Sequence, residues 1–228
     1  MVPYKSGGRS VNILSRRMVV GLALFAALAG AAAQTQDMCV TPKGQWLAQE
    51  LDRLDVETKW IAGAHVNWRT GVPDGPPETS PGRHTHCSAF VAAAAETLGV
   101  YILRPPQHRQ VLLANAQSEW LAIEGRDAGW RRLGGPAEAQ AAANRGQLVV
   151  ASYHNHRDGK PGHIAIVRPA DKKAEDIAAE GPNVIQAGAT NSASISLKAG
   201  FAGHPSAWSN DEIDYYAHAV RDAGSRPR

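Results

Sequence analysis

The stretch GQLVVASYHNHRDGKPGHIAIV, residues 146–167, marks the point at which the character of the chain changes. Leu148–Tyr153 and His163–Val167 are short runs rich in β-branched residues, and the polar segment between them contains Gly and Pro, as in strands joined by a turn. Later runs of the same kind predict three further strands: Asn183–Ala187, Ser194–Leu197 and Ile213–Val220. The chain after Gly146 is therefore predicted to form a sheet.

The chain before Gly146 has helical periodicity instead. Four helices are predicted there: one begins at Pro42 with Thr41 as its N-cap, one runs from about His86 to Leu98 with Thr85 as its N-cap, one covers residues 112–123, and one begins at Pro136. Helices followed by strands predict an α+β domain, with N-terminal helices packed on one side of a C-terminal antiparallel sheet. A chain of 228 residues that is 43% apolar can bury one such core.

A long loop from about Gly63 to Gly82 is predicted between the first two helices, because this stretch is rich in Gly and Pro. Loops of this length in compact domains are usually functional or disordered. Trp60 and Trp68 lie at its edge, which favours a loop that forms one wall of a cleft.

The first 33 residues have the organisation of an export signal. Basic residues come first, an apolar run follows from Met18 to Ala29, and small residues precede Gln34, which is the pattern of a signal peptide cleaved after Ala33. About 12 apolar residues are fewer than the roughly 20 that span a bilayer, which argues against a membrane anchor. The sequence thus predicts a leader at residues 1–33, a single domain at residues 34–228, and export to the periplasm or the medium.

The basic balance of the chain belongs to this leader. The chain has 24 Lys and Arg residues against 21 Asp and Glu residues, with a pI near 9.0. Lys5, Arg9, Arg16 and Arg17 lie within the first 33 residues, which contain no acidic residue, so the remaining domain is not basic. No nucleic-acid partner is predicted, and no membrane partner after removal of the leader.

Only two cysteines occur in the chain, Cys39 and Cys87. In an exported protein an even number of cysteines first suggests a disulfide. Cys87, however, lies in the first turn of the second predicted helix, where backbone N–H groups and the helix dipole favour a thiolate. Cys87 is therefore a candidate nucleophile with a low pKa, and a Cys39–Cys87 disulfide is the alternative.

Four segments, taken in order, resemble the papain-like cell-wall cysteine peptidases of the NlpC type and their relatives, the CHAP-type amidases. HCSAFV at residues 86–91 is similar to the nucleophile helix of that family, and GQLVV at residues 146–150 to its Gly-Asp-Leu-Val strand. GHIAIV at residues 162–167 is similar to the strand that presents the base, and VIQAG at residues 184–188 to the strand with the third residue. The resemblance covers roughly half of the chain.

The resemblance implies a papain-like fold with the nucleophile at a helix N-terminus. It implies that Cys87 attacks the scissile carbonyl, that His163 is the general base and acid, and that Gln186 orients the His163 ring. Gln186 stands where many members have His, and a Gln amide accepts the imidazole N–H but cannot stabilise an imidazolium as a charge would. Asn191, on the turn after the same strand, is the alternative orienting residue. No cofactor and no metal is implied.

The implied substrate is a peptidoglycan stem peptide or a related amide, and the implied enzyme is a peptidoglycan endopeptidase or amidase, in agreement with export. Two other functions stay open. The H-x-H pairs, His84 with His86 and His154 with His156, could hold zinc in a metallohydrolase. A catalytically inactive cell-wall binding protein with the same fold is the second alternative.

Overall fold

A computed structural model describes residue 1 and residues 39–79 and 82–221 of the chain. The predicted leader and its cleavage site, apart from Met1, lie outside these residues, so this interpretation stays a prediction. The described residues from Cys39 onward belong to one compact unit. Among the described residues, no helix is both long enough and apolar enough to span a bilayer.

Seven helices and six strands are present in the described part of the chain. In chain order they are α1 (Pro42–Asp52), α2 (Cys87–Thr97), α3 (Leu113–Ile123), β1 (Arg131–Arg132), α4 (Pro136–Asn144), β2 (Leu148–Tyr153), β3 (His163–Val167), α5 (Ala174–Glu180), β4 (Asn183–Ala187), β5 (Asn191–Ser196), α6 (Leu197–Gly200), α7 (Pro205–Ser209) and β6 (Asp214–His218). The strands form one antiparallel sheet in the order β1-β6-β2-β3-β4-β5. The prediction of an α+β domain is therefore confirmed.

The first helix begins as its sequence predicts. The Thr41 side chain is the N-cap, because its Oγ1 accepts a hydrogen bond of 3.1 Å from the backbone N–H of Gly44. The same hydroxyl donates to the backbone oxygen of Asn144 at the end of α4, at 2.8 Å. A Cβ on Gly44 would lie 2.2 Å from that oxygen, so glycine allows α1 to approach α4.

Helices cover both faces of the sheet. Helix α2 packs with Ile164 and Ile166 of β3 in one apolar cluster, whereas α4 packs with the alternate residues Ala165 and Val167 in a second cluster. The prediction that the helices pack on one side only is therefore wrong. The reason is visible in β3, HIAIV, in which every residue is buried, as in strands that are covered on both faces.

Other predictions differ from the structure at the ends of elements. His86, not Thr85, is the residue that precedes α2, and β5 begins at Asn191 instead of Ser194. Trp60 and Trp68 are buried in the first apolar cluster, and the Trp60 indole N–H donates to the Trp68 backbone oxygen at 3.0 Å. These tryptophans are therefore core residues that support the loop, not an exposed wall of a cleft.

Candidate functional site

Cys87 is the first residue of α2, and its thiol is buried. Burial raises the pKa of this thiol, while the backbone N–H groups of Ile164, Ser88 and Cys87 itself and the side chain of Thr85 act in the opposite direction. Desolvation is the larger effect, so the expectation of a low pKa at Cys87 is wrong for the resting protein. The helix N-terminus does supply N–H groups to the sulfur, as predicted.

The two cysteines are separate in the described structure. Cys39 is exposed, Cys87 is buried, and no disulfide joins them. The Cys39–Cys87 disulfide, which was the alternative to a nucleophilic role, is therefore not formed here, and the Cys87 sulfur is retained as a thiol.

His163 begins β3, and its ring is buried against Phe201, with 4.6 Å between the ring centroids. Its Nε2 lies 2.8 Å from Oε1 of Gln186. The Gln186 amide nitrogen donates to the backbone oxygen of Thr190 at 3.2 Å, which fixes the orientation of the amide and directs Oε1 toward the ring. Nε2 of His163 must then carry the proton, so Nδ1 has the free lone pair of a base.

The surroundings of Gln186 hold its amide in this position. A register shift between Val184 and Gln186 interrupts the pairing of β4 with β5, and such bulges reorient the side chains beside them. A Cβ on Gly200 would lie 2.9 Å from Oε1 of Gln186, and one on Gly188 would lie 3.1 Å from Nε2. Glycine at these two positions leaves the space that the amide occupies.

The thiol and the imidazole approach from opposite faces of the sheet. The register pairs Tyr153 with His163, and both belong to the face that α4 covers, whereas Cys87 arrives with α2 on the other face. Strand β3 pairs with β4 only at Ile166 and Val167, so the two strands separate at the end that carries His163. The N–H of Ile164 points to the Cys87 sulfur at this opening.

The Cys87 sulfur thus lies beside the peptide bond that follows His163. No hydrogen bond joins this sulfur to the His163 ring among the described residues. Burial lowers the pKa of His163, and the hydrogen bond to Gln186 raises it by a smaller effect. With the thiol pKa raised and the imidazole pKa lowered, the resting pair is a neutral thiol and a neutral imidazole, not a thiolate and an imidazolium.

Asn191, the alternative orienting residue, has a different role. Its amide nitrogen donates to the backbone oxygens of Val56 and Lys59, at 2.8 and 2.7 Å, and lies 3.3 Å from that of Trp60. Asn191 therefore hydrogen-bonds the start of β5 to the segment that follows α1. The residue in contact with His163 is Gln186.

The H-x-H pairs do not assemble a metal centre in the described residues, where no group of three or more His, Cys, Asp or Glu side chains could hold a metal ion. Nε2 of His86 lies 2.9 Å from the backbone oxygen of Ala64. Nε2 of His154 lies 2.9 Å from Glu119, and the His154 and His156 rings are 5.0 Å apart.

Two residues beside His163 have no counterpart in the sequence predictions. Phe201 forms a T-shaped pair with the His163 ring, and His204 stacks with that ring, with 5.9 Å between centroids and an interplanar angle of 21°. Both lie in the segment between β5 and β6, where the sequence shows no apolar periodicity. The His204-Pro205 pair, a histidine before a helix start, is the one local signal.

No protein-family model matches the chain, and no curated protein matches it.

Proposed function

We propose that this protein is a cysteine hydrolase that cleaves an amide bond through Cys87, His163 and Gln186. The observation that carries the proposal is the hydrogen bond from Nε2 of His163 to Oε1 of Gln186, which leaves Nδ1 free as a base. The Cys87 sulfur lies at the start of a helix, beside the N–H of the residue after His163. A nucleophile, a base and an orienting group are the parts that such a reaction needs.

The neutral resting pair sets the order of the steps. Nδ1 of His163 takes the thiol proton as the sulfur attacks the carbonyl carbon, and the carbonyl electron pair moves to the oxygen, where the Cys87 backbone N–H can stabilise it. The C–N bond then breaks, His163 returns the proton to the departing amine, and a thioester remains on Cys87. Water, deprotonated by His163, attacks this thioester and releases the acid and the thiol.

The substrate class rests on the resemblance and on the leader. The four motifs are similar to those of NlpC-type and CHAP-type enzymes, so the proposed substrate is a peptidoglycan stem peptide or a related amide. The leader at residues 1–33 would place the protein in the periplasm or outside the cell, where such a substrate is found.

A catalytically inactive wall-binding protein is the second candidate, because one observation favours it. Burial raises the pKa of the Cys87 thiol, and an inactive relative has no need of a reactive sulfur. The two candidates differ in one respect that can be measured, since both bind the wall peptide but only the first cleaves it.

The test is digestion of purified peptidoglycan by the chain that begins at Gln34. We expect Cys87→Ala and His163→Ala to abolish cleavage, because one removes the nucleophile and the other the proton acceptor and donor. Gln186→Ala should lower kcat by about 10- to 100-fold, as loss of orienting groups does elsewhere, and Gln186→His should restore much of it.

Matched controls for this test are present in the chain. Cys39→Ala removes the exposed cysteine and should leave the rate unchanged. Cleavage retained by Cys87→Ala, or lost with a chelator and restored by zinc, would overturn the proposal in favour of a metal site. Binding of peptidoglycan without cleavage by the unaltered chain would support the inactive binding protein instead.

A further inference from the structure

The imidazole of His204 is a part of the site that the proposed mechanism does not use. It precedes α7, is partly exposed, and lies over the buried His163 ring at 5.9 Å. Its other ring neighbour is Tyr153, at 5.4 Å. No hydrogen bond to its ring nitrogens is formed by any described residue, so the hydrogen-bonding capacity of this partly exposed ring is unused within the protein.

The charges around His204 favour its neutral form. Burial lowers its pKa, and a positive charge on His163 lowers it further. Of the charged groups on its own segment, Lys198 lies over the Trp208 ring and Asp211 acts on Tyr215, and the facing side chain from β2 is the phenol of Tyr153. Both effects favour the neutral form of His204, in which one ring nitrogen donates and the other accepts.

We propose that His204 is a substrate-contacting residue of this site, which hydrogen-bonds an amide group of the bound peptide next to the bond that is cleaved. The inference rests on the proposed function. A neutral imidazole suits a peptide group, because the ring has one donor and one acceptor and the peptide offers one N–H and one C=O.

The test measures binding separately from cleavage. Soluble stem-peptide fragments released from peptidoglycan are titrated into the Cys87→Ala chain that begins at Gln34. Calorimetry then gives the Kd for the fragments. In this background His204→Phe keeps a ring beside His163 but removes both hydrogen-bonding nitrogens, and we expect Kd to rise about 3- to 10-fold. His204→Asn keeps a donor and an acceptor, and we expect it to bind within about twofold of the parent.

A control variant and the kinetics complete the test. His156→Phe makes the same change at an exposed histidine and should leave Kd unchanged. In the chain with Cys87 intact, His204→Phe should raise KM and leave kcat nearly unchanged, because a contact made equally in ground state and transition state affects binding alone.

The outcomes separate this inference from the proposed function. Equal Kd values for His204→Phe and its parent would overturn the role of His204 and leave the proposed function intact. Absence of any fragment binding by the Cys87→Ala chain would contradict the proposed substrate and this inference together. Binding that depends on His204 in a chain that never cleaves would support the contact and contradict the hydrolase.

Discussion

At the scale of single residues, a neutral amide holds the candidate base. Oε1 of Gln186 accepts a hydrogen bond from Nε2–H of His163 but carries no charge to stabilise an imidazolium, and burial disfavours that cation further. The same burial disfavours a thiolate at Cys87. In the proposed mechanism the proton therefore moves from the thiol to His163 as the sulfur attacks the substrate.

This resting state leads to an expectation for the two thiols. Iodoacetamide at neutral pH should label exposed Cys39 well before buried Cys87, because alkylation requires access and a thiolate. Peptide mass spectrometry over time gives the two rates, and a sample unfolded in urea should lose the difference. Faster labelling of Cys87 in the folded protein would show that its thiolate is populated at rest.

Gly200 offers a test of how the Gln186 amide is held. In Gly200→Ala the new Cβ would lie 2.9 Å from Oε1 of Gln186 and 3.2 Å from a methyl of Val184, so the amide should be displaced from His163. We expect kcat to fall by about 10-fold, as for other losses of an orienting contact. Gly203→Ala is the control, because nothing lies within 4 Å of its Cβ position, and its kcat should be unchanged.

At the scale of elements, the site depends on two interruptions of regular pairing. Strands β3 and β4 separate beyond Ile166, which frees the Ile164 N–H for the Cys87 sulfur, and the bulge in β4 places Gln186. Regular pairing to the strand ends would use this N–H in the sheet. The N–H of Ile164 thus reaches the Cys87 sulfur at the separated end of β3.

The start of β5 is held by Asn191, and its loss should affect stability. Asn191→Ala removes donors to the backbone oxygens of Val56 and Lys59, which we expect to lower the free energy of unfolding by about 1–3 kcal/mol. A decrease of roughly 2–4 °C in Tm per kcal/mol follows for a domain of this size. The pH profile of cleavage should not move, whereas a shifted profile would indicate that Asn191 orients the base.

The sequence predicts the elements that have a strong local pattern. The strands β2, β3 and β4 occur at the predicted residues, as does the Thr41–Pro42 helix start. The short helices α5, α6 and α7 were not predicted, because each buries too few residues to show periodicity; in α5 the buried residue is Ile177.

The residues of the candidate site were predicted in part. The resemblance of their strands to family motifs implied His163 and Gln186, and the structure places these two side chains in contact. The pKa of Cys87 was not predictable, since it depends on how deeply the packed chain buries the sulfur. His204 was missed because it reaches His163 only through the packing of the segment between β5 and β6.

In the whole molecule, apolar clusters lie on both faces of the sheet, and the packed chain buries several ionisable groups. One apolar cluster lies between the sheet and α2, the other between the sheet and α4. The ion pairs of the described surface, such as Arg69 with Glu96 and Arg131 with Glu138, are largely exposed and contribute little to stability. Between about pH 6.5 and 5, above the range in which carboxylates titrate, the response of the fold to acid therefore depends mainly on histidines that folding buries.

Burial lowers the pKa of three histidines, His86, His163 and His204. The unfolded chain titrates near the ordinary value of about 6.5 and so binds more protons than the folded chain between that pH and the lowered values. Stability should accordingly be complete above about pH 6.5 and be lost as the pH falls toward the folded-state pKa values. Each unit of lowering corresponds to about 1.4 kcal/mol.

We therefore expect Tm to be constant from pH 8 to 7 and to fall by several degrees between pH 6.5 and 5, well above the range in which carboxylates titrate. Replacing His86 and His204 together by Gln should reduce this decline, because Gln does not gain a charge in acid. Thermal unfolding followed by circular dichroism measures both chains. A Tm that is equal at pH 7 and pH 5 would show that these histidines take up protons in the folded state as readily as in the unfolded chain.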